Sequence, residues 1–320
     1  MAPMLLSVLL FVVAAAPQSP TLVPVKTLKV TVLSTMLAGD PGRGIGEWGF
    51  AALLEADGRR LLIDTGARAE TVHKNALELG VDLSTIDEAV ITHNHGDHTG
   101  GLLTLRRELM KKNPRALARV HAGRGILLSR RTPDGREANG LLPLLPEYEA
   151  SGGKIVEHAS PEQLLPGVWL TGPVPRVYPE RNWSGSLRLQ TPSGPAEDTL
   201  PEDSSIVVET SSGLVVVSGC GHAGIVNTLE YARKAIRAQE VHAAIGGFHL
   251  FAADDERLDW TAAKLKEMGI GHLLGAHCTG IEAVFRLREK AGLTRKTAVV
   301  GTVGSSFTLG AGLNPLDLAR

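Results

Sequence analysis

At 320 residues the chain can form one large domain or two small ones, and its 43% hydrophobic and 21% charged content describes an ordinary globular protein with a sizeable core. With 33 Lys and Arg against 34 Asp and Glu the net charge is −1, which argues against a general nucleic-acid binder. Two cysteines cannot make a disulfide framework; Cys220 lies near His222 and Cys278 follows His277, so metal or active-site duty is the sharper reading.

Met4 to Val13 is an apolar run that ends in Ala14-Ala15-Ala16 and is followed by Pro17-Gln18-Ser19-Pro20. Its length suits a signal-peptide core cleaved after Ala16, although no Lys or Arg precedes it. The expectation is therefore a signal peptide at 1–16, a linker at 17–27 and a single domain over 28–320, exported to a periplasmic or extracellular space. Without cleavage and export the chain would be cytoplasmic. No other segment reads as membrane-spanning.

Leu28–Leu33 reads as a first strand, with Trp48–Glu55 and Arg60–Asp64 as two more joined through Ala56-Asp57-Gly58. Arg68 to Leu79 has helical spacing and stops at Gly80. The β-branched run Ala89-Val90-Ile91 then leads into Thr92-His93-Asn94-His95-Gly96-Asp97-His98-Thr99-Gly100-Gly101, followed by a helix from about Gly100 to Lys112. From Arg106 to Arg136 ten basic residues meet only two acidic ones, a solvated face or else a rim that attracts an anionic substrate. His121 reads as a strand-end residue. Thr132 to Pro201, rich in Pro and Gly, is expected to be a loop-heavy insertion with short strands near 154–157 and 167–171.

Regular structure returns with a hairpin, Ser205–Thr210 and Gly213–Ser218, across Ser211-Ser212. Gly219-Cys220-Gly221-His222-Ala223-Gly224 follows it and opens a helix to about Ala238. Val241–Ile245 is a strand ending in Gly246-Gly247-Phe248-His249. Asp254 caps a helix to Met268, strand Ile270–Leu274 delivers Ala276-His277-Cys278-Thr279-Gly280, and Ile281–Lys290 is the next helix. Strands near Thr297–Val300 and Ser306–Leu309 close the chain.

The His-rich turn puts three imidazoles and a carboxylate into six residues between a strand and a helix. Residues two apart on an extended end point the same way, so His93 and His95 can grip one metal, while Asp97 and His98 can face a second. This donor chemistry suits Zn²⁺, with Fe²⁺ or Mn²⁺ less selectively matched. His222, His249 and His277 each stand just past an apolar strand, where α/β proteins gather their chemistry. His222 and His277 read as ligands; His249 reads as a supporting or substrate-contacting residue, as does Thr279. Asp64, at the end of the third strand, is expected to accept hydrogen bonds that hold the histidine loop. His73, His158, His242 and His272 read as surface residues.

The pattern His-x-His-x-Asp-His resembles the metal signature of the metallo-β-lactamase fold. Asp64-Thr65-Gly66, His93–Gly101, Gly219–Asn227, Gly246–Leu250 and His277–Gly280, in that order, are similar to the branch of dihydropterin-methyl-ribofuranosylaminobenzene-phosphate synthase-like metal-dependent hydrolases. The resemblance implies an α/β fold, a four-layer αββα sandwich, and one or two bound ions. It departs at two positions: no histidine lies between His158 and His222, and the slot of a metal-bridging Asp holds Cys220. His222 would then stand in for the third imidazole of the first ion, and Cys220 is a candidate ligand. The implied sets are His93, His95 and His222 for one ion and Asp97, His98 and His277 for the other, with Asp97 also orienting the nucleophile.

The function this implies is a zinc hydrolase that uses a metal-bound hydroxide on a small ester, lactone or phosphoester. The alternatives on the same site are a pterin-phosphate synthase releasing pyrophosphate and a mono-iron oxygenase. The expected partner is a small molecule, anionic if the basic stretch serves to attract it, with no nucleic acid and no stable membrane span once the signal is cleaved.

Overall fold

The computed structural model describes residues 23–183 and 185–319, so the leader expected at 1–16 and the first part of the linker lie outside the described residues. The end of the linker is tied down: Val25 bridges to Thr210, and the Lys26 and Thr27 amides donate to Asp57.

Strands β1 (Leu28–Ser34), β2 (Ala51–Ala56) and β3 (Arg59–Ile63) form an antiparallel meander, and β4 (Glu88–Ile91) and β5 (Arg119–Gly123) continue it in parallel. A two-residue β6 (Arg130–Arg131) belongs elsewhere, while β7 (Lys154–His158) extends the parallel edge beside β5. Strands β8 (Glu162–Leu165) and β9 (Val168–Leu170) start a second sheet, and β10 (Arg188–Thr191) with β11 (Gly194–Glu197) makes a hairpin that pairs with β6. The hairpin β12 (Ser205–Thr210) and β13 (Gly213–Ser218) is followed by the parallel strands β14 (Val241–Gly246), β15 (His272–Gly275) and β16 (Ala298–Val300). Strands β17 (Ser306–Thr308) and β18 (Gly312–Asn314) return to the first sheet.

The result is an eight-stranded sheet ordered β18-β17-β1-β2-β3-β4-β5-β7 facing a seven-stranded sheet ordered β16-β15-β14-β13-β12-β9-β8. Between them lies an apolar layer that includes Val30, Val32, Phe50, Leu54, Leu61, Ile63, Ile206, Val208, Val215, Val217 and Phe307. Helices α1 (Thr71–Glu78), α2 (Gly96–Thr99), α3 (Leu102–Met110) and α4 (Leu145–Ala150) fall in the first half. Of these, α1 and α3 bury Val72, Ala76, Leu102, Leu105 and Leu109 on the outer face of the first sheet. Helices α5 (Ile225–Ala235), α6 (Asp255–Glu267) and α7 (Ile281–Lys290) cover the second sheet through Ile225, Val226, Leu229, Leu258, Leu265 and Leu287. This is the αββα sandwich expected from the resemblance. It also explains why β12 and β13 read as unbroken apolar runs, since both of their faces are covered.

Boundaries differ from expectation mainly where a turn intervenes. The helix expected from Gly100 begins earlier as the single turn α2, because Gly100 and Gly101 approach the backbone of Ala67 and Thr65 too closely for any side chain. Over 132–200 the chain is less loop-rich than expected. It supplies β7, β8 and β9 to the two main sheets as well as the outlying β10–β11 hairpin. His121 is a buried mid-strand residue whose Nδ1 meets His158 Nε2 at 2.9 Å. No helix among the described residues is long and apolar enough to cross a membrane.

Two of the ten basic residues in the stretch are spent inside the protein. Arg106 is fully buried and donates to the carbonyls of Pro114, Ala116 and Ser151, and buried Arg130 pairs with Asp198 and Glu202. Arg107, Lys111, Arg115, Arg119 and Arg136 are ion-paired on the surface. These surface pairs accord with the solvated-face reading.

Candidate metal centre

Strand carboxyl ends from both sheets converge on one place, as the chemistry of open α/β sheets requires. From the first sheet, β3 delivers Asp64 and β4 delivers Thr92 to His98; from the second, β13, β14 and β15 deliver 219–222, 247–249 and 276–279. His95 is extended (φ −64°, ψ 145°) and α2 starts immediately after it, so the turn changes direction between the first two histidines and the Asp97–His98 pair.

The donor atoms of His93, His95 and His222 all lie within 4.8 Å of one another, and so do those of Asp97, His98 and His277. These are the two sets expected from the sequence, each brought together from distant residues, up to 180 positions apart by the numbering of Asp97 and His277. Two more groupings of the same size involve cysteine: His93, His98 and Cys220, and Cys220, His249 and Cys278. The donors therefore fit divalent cations. Nε2 of His93 and of His222 is buried with no hydrogen-bond partner among the described residues, a costly arrangement that a bound cation relieves.

The supporting shell is built on both sides. Asp64 (φ 55°) accepts from the Thr92 amide and hydroxyl at 2.8 Å each, and its Oδ2 lies 2.7 Å from His98 Nδ1. That contact turns His98 Nε2 toward the centre, the role expected of Asp64. Thr92 Oγ1 is 3.0 Å from His93 Nδ1. On the other side the segment from Glu180 to Asn182 straps His222: its Nδ1 donates to the Asn182 carbonyl at 2.5 Å, while Asn182 Nδ2 donates to the Gly221 carbonyl. Glu180 accepts the Val226 and Asn227 amides at the start of α5. Gly224 (φ 101°) must be glycine there, since a Cβ would fall 2.2 Å from the Glu180 carboxylate.

His277 (φ 46°) and His249 (φ 49°) both adopt the left-handed conformation, and the His277 amide donates to Thr35 Oγ1 at 2.9 Å. Asp97 Oδ2 stands 3.3 Å from His277 Nε2. The His249 ring is 4.5 Å from that of His222. Thr279 faces inward, accepting from the Phe248 amide and donating to the Gly246 carbonyl, and so braces the turn that carries His249. Cys220 Sγ is 3.2 Å from His98 Nε2 and 3.2 Å from Cys278 Sγ.

Electrostatics match this geometry. Burial, reinforced by the neighbouring histidines, lowers His93 and His222 well below the ordinary imidazole range and His95 to about 4, so all three are neutral and ready to donate a lone pair near pH 7. Burial opposes ionisation of Asp97, but His277, His98 and His95 outweigh it and hold the carboxyl well below its usual range. Against burial, Asp64 and Asp97 raise His98 to about 9. Burial pushes Glu180 up to about 7.

Some contributors were invisible in the sequence. Asn94 Nδ2 donates to Glu202 Oε1, and Glu202 Oε2 accepts from Arg130, so a buried ion pair steadies the His93–His95 turn. Asn182 acts on His222 through a main-chain oxygen, which carries no residue signature. Trp48, 48% exposed, stands edge-on to Phe251, 51% exposed, at 5.4 Å, and its ring is 4.9 Å from that of His277. An apolar residue before Gly49-Phe50 was the only hint of this wall.

A sandwich of two sheets with a His-x-His-x-Asp-His turn and imidazoles from the second half defines a metal-dependent enzyme of the metallo-β-lactamase superfamily, of the kind that carries out hydrolysis. A family profile described as anti-Pycsar protein Apyc1 matches residues 45–118, the stretch that contains this turn. Over 268 residues the chain is 30% identical to the 7,8-dihydropterin-6-methyl-4-(β-D-ribofuranosyl)-aminobenzene-5′-phosphate synthase of Methanocaldococcus jannaschii, covering 81% of this chain and 90% of that protein. It therefore belongs to the synthase-like branch of the superfamily. The crystal structure of Tm1679, described as a metal-dependent hydrolase of the β-lactamase superfamily, superposes with a TM-score of 0.70 at 25% identity, over 87% of this chain and 98% of that one. Zn²⁺-bound PqqB from Methylobacterium extorquens shares the fold, with a TM-score of 0.52 at 17% identity over 87% of this chain and 99% of that one.

Proposed function

We propose that this chain is a zinc-dependent hydrolase acting on a small ester, lactone or phosphoester. The observation that carries the reading is the pair of three-donor groups, His93–His95–His222 and Asp97–His98–His277, with Nε2 of His93 and His222 buried and without a hydrogen-bond partner among the described residues. Zinc bound there supplies Lewis acidity and lowers the pKa of a water to about 7. His93, His95 and His222 present neutral nitrogens, and Asp64 orients His98. Asp97, ionised and only partly covered, can accept a hydrogen bond from the attacking water and hold it in line. Trp48 and Phe251 form an apolar wall beside His277 against which the unreactive part of a substrate can rest.

The test is zinc content together with turnover of a panel of phosphodiesters, lactones and aryl esters. The expected outcome is that His95→Ala lowers turnover of one class by at least about 10³-fold. If the zinc-loaded chain turns over no member of the panel in a His95-dependent way, the hydrolase reading falls. A second reading, a synthase that joins a pterin diphosphate to an arylamine phosphate and expels pyrophosphate, is favoured by the named activity of the archaeal relative and by the aromatic wall. Pyrophosphate release from such a pair, with no hydrolysis of the panel, would select it.

A further inference from the structure

The two cysteines, separated by 58 residues, meet across a gap that the sequence keeps open. Cys220 follows β13 and Cys278 follows β15, and β14 runs between those strands. Any side chain leaving the end of β14 toward them would keep the sulfurs apart. The residue there is Gly247, and a Cβ on it would lie 2.0 Å from the Gly219 carbonyl and 2.9 Å from Cys278 Sγ. With that space empty of protein atoms, Sγ meets Sγ at 3.2 Å. Both side chains are buried, so an external oxidant reaches them through transient opening of the two turns, and the internal partner then displaces it. Thr279 and the Cys278 carbonyl, which accepts the Leu250 and Phe251 amides, hold the second turn in register.

We infer that Cys220 and Cys278 are a site of reversible oxidation, closing an intramolecular disulfide that takes a sulfur donor away from the metal centre. The sulfurs need only approach from 3.2 Å to the covalent distance of about 2.05 Å. The reaction balances with a small disulfide as oxidant: the two thiols lose two protons and two electrons, one sulfur–sulfur bond forms here, and the oxidant is reduced to two thiols. Because Cys220 Sγ also stands 3.2 Å from His98 Nε2 and groups with His93 and His98, its capture by Cys278 draws away a sulfur donor from the place where the two ligand sets meet. This second consequence rests on the metal reading above; disulfide formation does not.

The experiment uses the full chain, metal-free and zinc-loaded, treated with glutathione disulfide, then acid-quenched, alkylated and weighed intact. The expected result for the metal-free wild type is joint loss of both alkylatable thiols in monomeric chains, without a glutathione adduct, and full recovery with dithiothreitol. Zinc-loaded wild type is expected to release about one ion per chain on oxidation. Cys278→Ser and Cys278→Ala, each checked for folding by circular dichroism, are expected to keep their zinc under the same oxidant. Persistence of both thiols, or glutathione adducts or chain dimers in place of the internal bond, overturns the proposal. Disulfide formation without zinc release overturns its second half while leaving the site of oxidation standing. A chain that forms the disulfide but never binds zinc sinks the metal reading instead.

Discussion

The two halves of the centre are built on different principles. The first-half donors come from one six-residue turn, and their rings are fixed by side chains, Asp64 on His98 and Thr92 on His93. The second-half donors come from separate turns after β13 and β15 and are fixed by the main chain: the Asn182 carbonyl on His222, and positive φ at His277. The first arrangement is local and can be encoded in a motif. The second exists only once the parallel strands are in register, so it depends on the fold being complete.

That difference is open to attack, beginning where the loss should be largest. His98→Ala removes a donor and takes from the fully buried Asp64 carboxylate one of its three partners, so turnover should fall by at least about 10³-fold and stability by about 2 kcal/mol. Zinc content and urea midpoints report the two effects separately. An unchanged midpoint would mean that Asp64 does not depend on His98.

Asp64→Asn keeps the shape of the first-half shell but weakens the acceptor that turns His98. Zinc affinity should drop about 10- to 100-fold with the fold intact, as a competition titration against a chelating dye would show. An unaltered affinity would remove Asp64 from the site.

The smallest effect on the centre itself is expected in the strap, where the loss is one of pH dependence. Glu180 keeps its proton up to about pH 7 in the folded chain, whereas in the unfolded chain it loses it near 4.5. Between those values the unfolded state binds fewer protons, so this group makes stability fall as pH rises. Glu180→Gln should remove that fall, making the variant relatively more stable at pH 7.5 than at pH 4.5 by up to about 3 kcal/mol when its urea midpoints are compared with wild type. A difference that does not change with pH would show that Glu180 is not held protonated.

The same contrast governs what could be read from the sequence. His93, His95, Asp97 and His98 were legible because a strand–turn–helix transition forces their directions within a few residues. His222 and His277 were legible as strand-end histidines, but their convergence was not, since spacing along the chain says nothing of which sheet edges face each other. The hairpin and the parallel strands of the second sheet followed from unbroken apolar runs. Strands β8, β10 and β11 escaped, being short, partly exposed and set among Pro and Gly. Within the basic stretch, charge counted along the chain does not reveal that Arg106 is buried among carbonyls or that Arg130 sits between two carboxylates. Asn182 was unreadable in principle, because any residue has a carbonyl.

Arg130 has one more implication. It belongs to the small outlying sheet, yet through Glu202 it is two links from Asn94, the residue wedged between the paired imidazoles. The outlying sheet is thus anchored to the reactive end of the molecule by a buried tether. Loosening that ribbon, even far from any ligand, would slacken the loop on which the first cation depends.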